Sequence, residues 1–134
     1  MSGAIGREQL KKLPGFIENR QQNGRHFQEI FGNHPFLQIQ EEVGQSSWFG
    51  FAMTVRRDTP HSRNELLQKL RDNNVDVRPI VTGNFVKNPV IKYFDYSISG
   101  DLDAAERIDT HGFFIGNHQT DIRAKIDKVL EILS

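Results

Sequence analysis

The clearest apolar pattern lies at the end of the chain. Ile122, Ile126, Val129, Leu130 and Leu133 recur at helical spacing and fall on one stripe. Thr120 stands just ahead of them as a candidate cap. Docking those five side chains is worth roughly 1.5–3 kcal/mol each. Ordering the helix backbone costs about 1–2 kcal/mol per residue. The helix therefore needs both its own hydrogen bonds and a sheet to lie on. Over Ser47 to Arg56 the period changes from helical to two. Phe49, Phe51, Met53 and Val55 fall on one side, and Gly50, Ala52, Thr54 and Arg56 on the other, which predicts a strand.

The remaining elements follow from shorter signals. Residues 2–13 predict a short helix through Ile5, Leu10 and Leu13. Pro14 reads as the first residue of a second helix running to about Phe31, where its missing N–H costs nothing. Gly32-Asn33 stops that helix and Pro35 prevents its continuation. Phe36, Leu37 and Ile39 suggest a short strand. Ser62-Arg63-Asn64-Glu65 is a capping box, and the helix after it carries Leu66, Leu67 and Leu70 and ends near Asn73-Asn74. Val75, Val77, Ile80 and Val81 indicate another strand, which Pro79 confines to an edge, a bulge or a strand end. Asp101 caps a predicted helix over Leu102 to Thr110, and Gly112 to Asn117 reads as a further strand. Together these predict an α+β domain spanning residues 1–134. It has three or four strands, mostly antiparallel, covered on one side by helices.

Composition narrows the function. The chain has 134 residues, 37% hydrophobic and 25% charged, as expected for one globular domain. Seventeen basic residues balance 17 acidic ones, so the phosphate-neutralising excess of a nucleic-acid binder is absent. With no cysteine, disulfide scaffolds and thiolate metal sites are excluded. Apolar runs are too short for a membrane span, and the N-terminus MSGAIGREQLKK matches no signal peptide. A cytoplasmic location is the default expectation.

Candidate chemistry is sparse. Asp76 to Phe85 (DVRPIVTGNF) leads from a strand end into a polar turn. Arg78 there can grip an anion with two N–H groups, and Asn84 offers both a donor and an acceptor. The same residues also suit a plain strand-to-loop transition with a surface arginine. His111 and His118 flank the strand Gly112–Asn117 without further ligands at metal-binding spacing. They read as hydrogen-bonding residues at strand ends, with acid–base use the alternative. His26, His34 and His61 read as loop or helix-surface residues. Aromatics on strands, such as Trp48, Phe49 and Phe114, fit either core packing or base stacking, and the neutral charge favours packing. None of the seven lysines sits in an apolar setting suited to a Schiff base. No Ser–His–Asp signature, P-loop or dinucleotide glycine motif occurs.

Four segments in order, Ser2–Leu13, Ser47–Phe51, Val77–Phe85 and Gly100–Arg107, resemble the C-terminal third of the DegT-type sugar aminotransferases. They are most similar to the branch with GDP- and CDP-4-keto-6-deoxyhexose 3-dehydratases and perosamine-type aminotransferases. The resemblance implies the small domain of a fold-type-I enzyme using pyridoxal or pyridoxamine phosphate. The implied substrate is a keto sugar linked to a nucleotide, for lipopolysaccharide O-antigen or antibiotic sugars. It places the catalytic lysine, or the histidine that replaces it in dehydratases, in a large preceding domain, with most cofactor contacts. Family members begin well before the segment matching Ser2, so Met1 is expected to be either an internal Met or an artificial start. The chain alone is then expected to hold no catalytic residue, bind no cofactor and turn over nothing. It is expected to close one side of the cleft, with Arg78 and Asn84 as polar substrate contacts and Phe85 and His118 lining it. Assembly as the family homodimer is implied, and apolar surface left open leads the isolated chain to self-associate. The rival expectation is a stand-alone, ferredoxin-like module that binds a small ligand or regulates.

Overall fold

Residues 2–134 are described by a computed structural model; Met1 lies outside them. The elements in chain order are α1 (Ser2–Phe31), β1 (Leu37–Ile39), β2 (Gly50–Val55), α2 (Arg63–Asp72), β3 (Val77–Arg78), α3 (Asp103–His111), β4 (Gly112–Gly116) and α4 (Arg123–Leu133). Two 3-10 turns, Phe85–Lys87 and Pro89–Tyr93, precede α3. The strands form one antiparallel sheet in the order β1-β2-β4-β3.

Register decides the core. Leu37 pairs with Val55, Met53 with Phe113, Phe51 with Ile115, and Ile115 with Val77. Paired residues in a sheet point to the same side, so this whole set forms one apolar face, and all of it is buried. Phe27 and Phe31 of α1, Leu66, Leu67 and Leu70 of α2, and Ile126, Val129 and Leu133 of α4 cover it. Aromatic rings fill the centre. Phe27 stacks on Phe51 at 4.5 Å and on Phe31 at 4.9 Å. The helices are not all on that side. α3 lies on the opposite face, beside Ala52 and Thr54, and Arg107 Nη2 donates to Gln38 Oε1 at 3.0 Å.

Several local expectations are revised. α1 is one helix that runs through Pro14, not two. Proline deletes a single hydrogen bond, from position 14 to the Leu10 carbonyl. Residues 3–15 are all exposed, so water can take that carbonyl. β2 starts at Gly50 because Trp48 adopts a left-handed backbone, φ 50°. That turn sends the Trp48 ring into the core and leaves Phe49 82% exposed. Gly24 makes room for the ring: a Cβ there meets the indole at 2.6 Å. Neither Asp101 nor Thr120 is a helix cap. α3 and α4 have Leu102 and Ile122 at those positions. The first-turn amides of Asp103 and Arg123 are taken by the carboxylates of Asp101 and Asp121, two residues back. The strand expected over Val75–Val81 shrinks to the two-residue edge strand β3, ended by Pro79. The Ser62–Glu65 capping box is present in both directions.

One buried amide ties the layers together. Asn23 is 0% exposed in the middle of α1. Its Nδ2 donates to Thr120 O at 2.9 Å, Asn117 Oδ1 at 3.0 Å and His118 O at 3.2 Å, and its Oδ1 accepts from Ile122 N at 3.1 Å. Asn117 Nδ2 in turn donates to Arg20 O and Trp48 O, while Arg20 donates to Ser47 O and Trp48 O. The hub joins α1 to the start of β2, the end of β4 and the start of α4. Asn23→Ala strands several of these groups away from water, each costing about 1–3 kcal/mol. We expect a stability loss of about 3 kcal/mol in urea unfolding; a loss below about 1 kcal/mol contradicts the hub.

His34 is not a surface residue as expected but 5% exposed, stacked on Phe31 and edge-on to Phe36, with Nδ1 unpartnered. Burial, and next the Arg56 charge, hold its pKa below the ordinary 6.5. The unfolded chain therefore takes up this proton at higher pH than the folded chain does. Stability from the neutral ring is complete above pH 6.5 and falls as pH drops toward the folded value. The melting temperature of the wild type should thus fall between pH 7.5 and 5 more than that of His34→Phe, as read by circular dichroism. Equal slopes count against this account.

Candidate functional site

The sheet edge and the loop leaving it carry most of the candidate residues. β3 is short because Pro79 has no N–H to extend the ladder. Arg78 pairs in register with Phe114, so both side chains leave the same face. The Arg78 guanidinium lies 3.4 Å from Asp76 and both side chains are mostly exposed. Such a surface pair is worth little, and Arg78 stays available to a ligand. It lines an open groove of about 650 Å³ with Arg20, Lys125, Lys128, Phe49 and Phe114. Phe49 and Phe114 sit 6.1 Å apart. The groove combines cations with aromatic faces, a setting suited to an anion that carries a ring.

Past Pro79 the chain turns tightly. Gly83 N donates to Ile80 O at 2.8 Å. Val81 and Gly83 both have left-handed backbones, φ 43° and 53°. Gly83 presses on α3 so closely that a Cβ lies 2.6 Å from Asp109 Cα. Only glycine meets both demands. Asn84 is buried beneath this turn, 7% exposed. Its Nδ2 donates to Glu106 Oε2 at 3.2 Å, and its Oδ1 accepts from Val86 N at 3.2 Å, capping the first 3-10 turn. Lys87 Nζ bridges Asp109 Oδ2 at 2.8 Å and Glu106 Oε1 at 3.0 Å. The hydrogen bonds to Asp109 and then Glu106 raise the Lys87 pKa, and Lys87 in turn lowers those of both acids. Asp121, gripped by Arg123 at the start of α4, is lowered to about 2.

The four expected contact residues do not converge. Arg78 belongs to the groove, which Asn84, Phe85 and His118 do not line. Asn84 and the half-exposed Phe85 belong to the loop on the α3 side. His118 is exposed after β4, with Nδ1 2.9 Å from Thr120 Oγ1, and its carbonyl serves the Asn23 hub. Among the described residues no group of three or more acidic or histidine side chains could hold a metal ion. No helix of the described residues is long and apolar enough to cross a membrane. All seven lysines are exposed, so none offers the desolvated amine of a Schiff base.

Sequence reasoning passed over Arg20, Asn23, Asn117 and the acids that hold Lys87. Two of these left a signal. Asn23 is a poor helix former inside a helix, and Glu106 and Asp109 are three apart on one helix face. Nothing in the sequence pointed to Arg20, whose partners are backbone carbonyls 27 and 28 residues away.

Comparison with known proteins places this geometry. The sequence pattern of the DegT/DnrJ/EryC1/StrS aminotransferase family matches residues 1–134. The chain is 54% identical over 134 residues to GDP-4-keto-6-deoxy-D-mannose 3-dehydratase of Yersinia pseudotuberculosis, covering 99% of this chain and 34% of that protein. It superposes with a TM-score of 0.96 and 48% identity on the Escherichia coli GDP-4-keto-6-deoxy-D-mannose 3-dehydratase with bound hydrated PLP, covering 100% of this chain and 35% of that one. A His-to-Asn mutant of GDP-4-keto-6-deoxymannose 3-dehydratase with bound GDP-perosamine gives a TM-score of 0.96 at 47% identity, again covering 100% and 35%. The chain spans about a third of the length of these relatives.

Proposed function

The chain belongs to the DegT/DnrJ/EryC1/StrS aminotransferase family, and on that premise we propose that it is the small C-terminal domain of a cofactor-dependent 3-dehydratase. The substrate of the whole enzyme is a nucleotide-linked 4-keto-6-deoxysugar, made for lipopolysaccharide O-antigen. The observation that carries this reading is the 54% identity to the Yersinia pseudotuberculosis dehydratase over 134 residues.

Pyridoxal or pyridoxamine phosphate supplies the electron sink for such chemistry. This chain's residues do not fit the role of holding it. Its lysines are exposed, and Lys87 is taken up by two carboxylates. The domain's part is binding and enclosure. Arg78 faces the phosphates of the nucleotide from the sheet edge. Phe85 and His118 line the cleft from separate places outside the groove that Arg78 lines, and the buried Asn84 holds the loop that carries Phe85.

Apolar surface indicates where the rest of the enzyme docks. Ile5, Leu10 and Leu13 of α1 and Tyr93, Phe94, Tyr96 and Ile98, from the last residue of the second 3-10 turn onward, are all exposed. Surfaces of this kind rarely stay open to water. The cofactor domain and the partner of a homodimer cover them in the full enzyme.

Two outcomes follow. Joining this chain to the preceding two-thirds of the Yersinia pseudotuberculosis dehydratase should give an enzyme that removes the sugar 3-hydroxyl, measured by product chromatography. A folded, cofactor-loaded chimera with no turnover contradicts the reading. The isolated chain should self-associate in sedimentation runs, and Leu10→Glu with Tyr96→Ser should shift it to monomer. A wild-type chain that stays monomeric at all concentrations tells against the docking faces and favours a stand-alone binding module.

A further inference from the structure

Three non-glycine residues among those described have left-handed backbones: Trp48, Asn74 and Val81. Two explain themselves. Trp48 accepts the conformation because it seats its ring in the core, 2% exposed. Asn74 is of a residue type that tolerates it. Val81 has neither reason. Its side chain is branched at Cβ, the kind least suited to positive φ, and it is 82% exposed. Glycine relieves the strain there and leaves no cavity, and the chain uses glycine two residues on, at Gly83.

The loop around Val81 is fastened from below. The Gly83 N–H closes a turn on Ile80, and Gly83 abuts Asp109 without room for a Cβ. Asn84 ties to Glu106, and Lys87 bridges Glu106 and Asp109. An exposed, strained, branched side chain on a loop pinned by α3 is arranged to hold an apolar group in one place. Strain of this kind gathers at ligand contacts, where the surrounding structure enforces it.

We propose that Val81 is a substrate-contact residue whose isopropyl group meets the apolar face of the deoxysugar, and that Lys87 is a positioning residue acting through that loop. This rests on the functional reading above. A 6-deoxysugar carries a methyl where an ordinary hexose carries a hydroxymethyl, so an aliphatic contact distinguishes it. Val81 is the apolar tip that the structure supplies.

The test uses the chimera and the isolated chain side by side. In the chimera, Val81→Gly should raise the KM for the nucleotide-linked 4-keto-6-deoxysugar roughly tenfold, the scale of a lost aliphatic contact, with a smaller change in kcat. In the isolated chain the same substitution should leave the melting temperature unchanged or raise it. A merely structural role lowers the melting temperature as KM rises. Lys87→Met should also raise KM and should speed hydrogen exchange of the amides at 81–86 in the isolated chain, and Lys87→Arg should restore both in part. An active chimera whose KM stays within about twofold in Val81→Gly overturns the contact. So does a melting temperature that falls along with a rising KM. Unchanged exchange in Lys87→Met overturns the positioning role. A folded, cofactor-loaded chimera that is inactive before any substitution overturns the functional reading and this inference together.

Discussion

The buried amide of Asn23 is the constraint on which the other contacts depend. A primary amide has two N–H donors and one carbonyl acceptor with two lone pairs. Here it must satisfy backbone groups from three places in the last sixth of the chain while remaining inside a helix. Left without it, the segment 117–122 has inward-facing polar groups and no water to meet them. With it, the entry to α4 is fixed, and the Ile126, Val129 and Leu133 stripe arrives over the sheet in register. Asn117 extends the same bonding to Trp48, so the aromatic core and the polar hub meet at one residue.

The two faces of the sheet serve different purposes. One is lined by large apolar residues under three helices and supplies the burial that stabilises the domain. The other carries Ala52, Thr54 and Gly112 beside α3, with Gly50 making room for the Phe114 ring. α3 in turn fastens the loop after β3, because Gly83, Asn84 and Lys87 all bear on α3. The position of that loop is thus set in part by small residues of strands distant in sequence.

The division of labour follows from this. Exposed lysines, exposed aromatics around the end of the second 3-10 turn and a helix half out in solvent fit the proposed role of one wall of a cleft. Its polar side chains near the sheet edge and the loop are oriented by their neighbours rather than activated by them. Lys87 shows the point: two carboxylates keep it charged and in place, which suits a clamp and not a nucleophile.

Much of the architecture was legible in the sequence alone. Period-two and period-3.6 patterns located β2, α2, β4 and α4, and the Ser62–Glu65 capping box fixed the start of α2 to the residue. Those signals are local, so a neighbour's side chain does not alter them. Four aligned segments were enough to suggest the family. The candidate site was legible only in its residues. Arg78 and Phe85 are exposed as a contact role requires, whereas Asn84 is enclosed and the four do not meet. Sequence patterns also could not show that α1 passes through Pro14, that Trp48 and not Phe49 enters the core, that His34 is buried, or that Val81 is strained. Each depends on what another part of the chain does in space: solvent beside Leu10, the gap at Gly24, the stack of Phe31 and Phe36, the press of α3 on Gly83. Local propensity determined which elements form. Long-range packing decided which side chains those elements bury, strain or leave free, because burial and strain are properties of pairs of surfaces and not of a single stretch of chain.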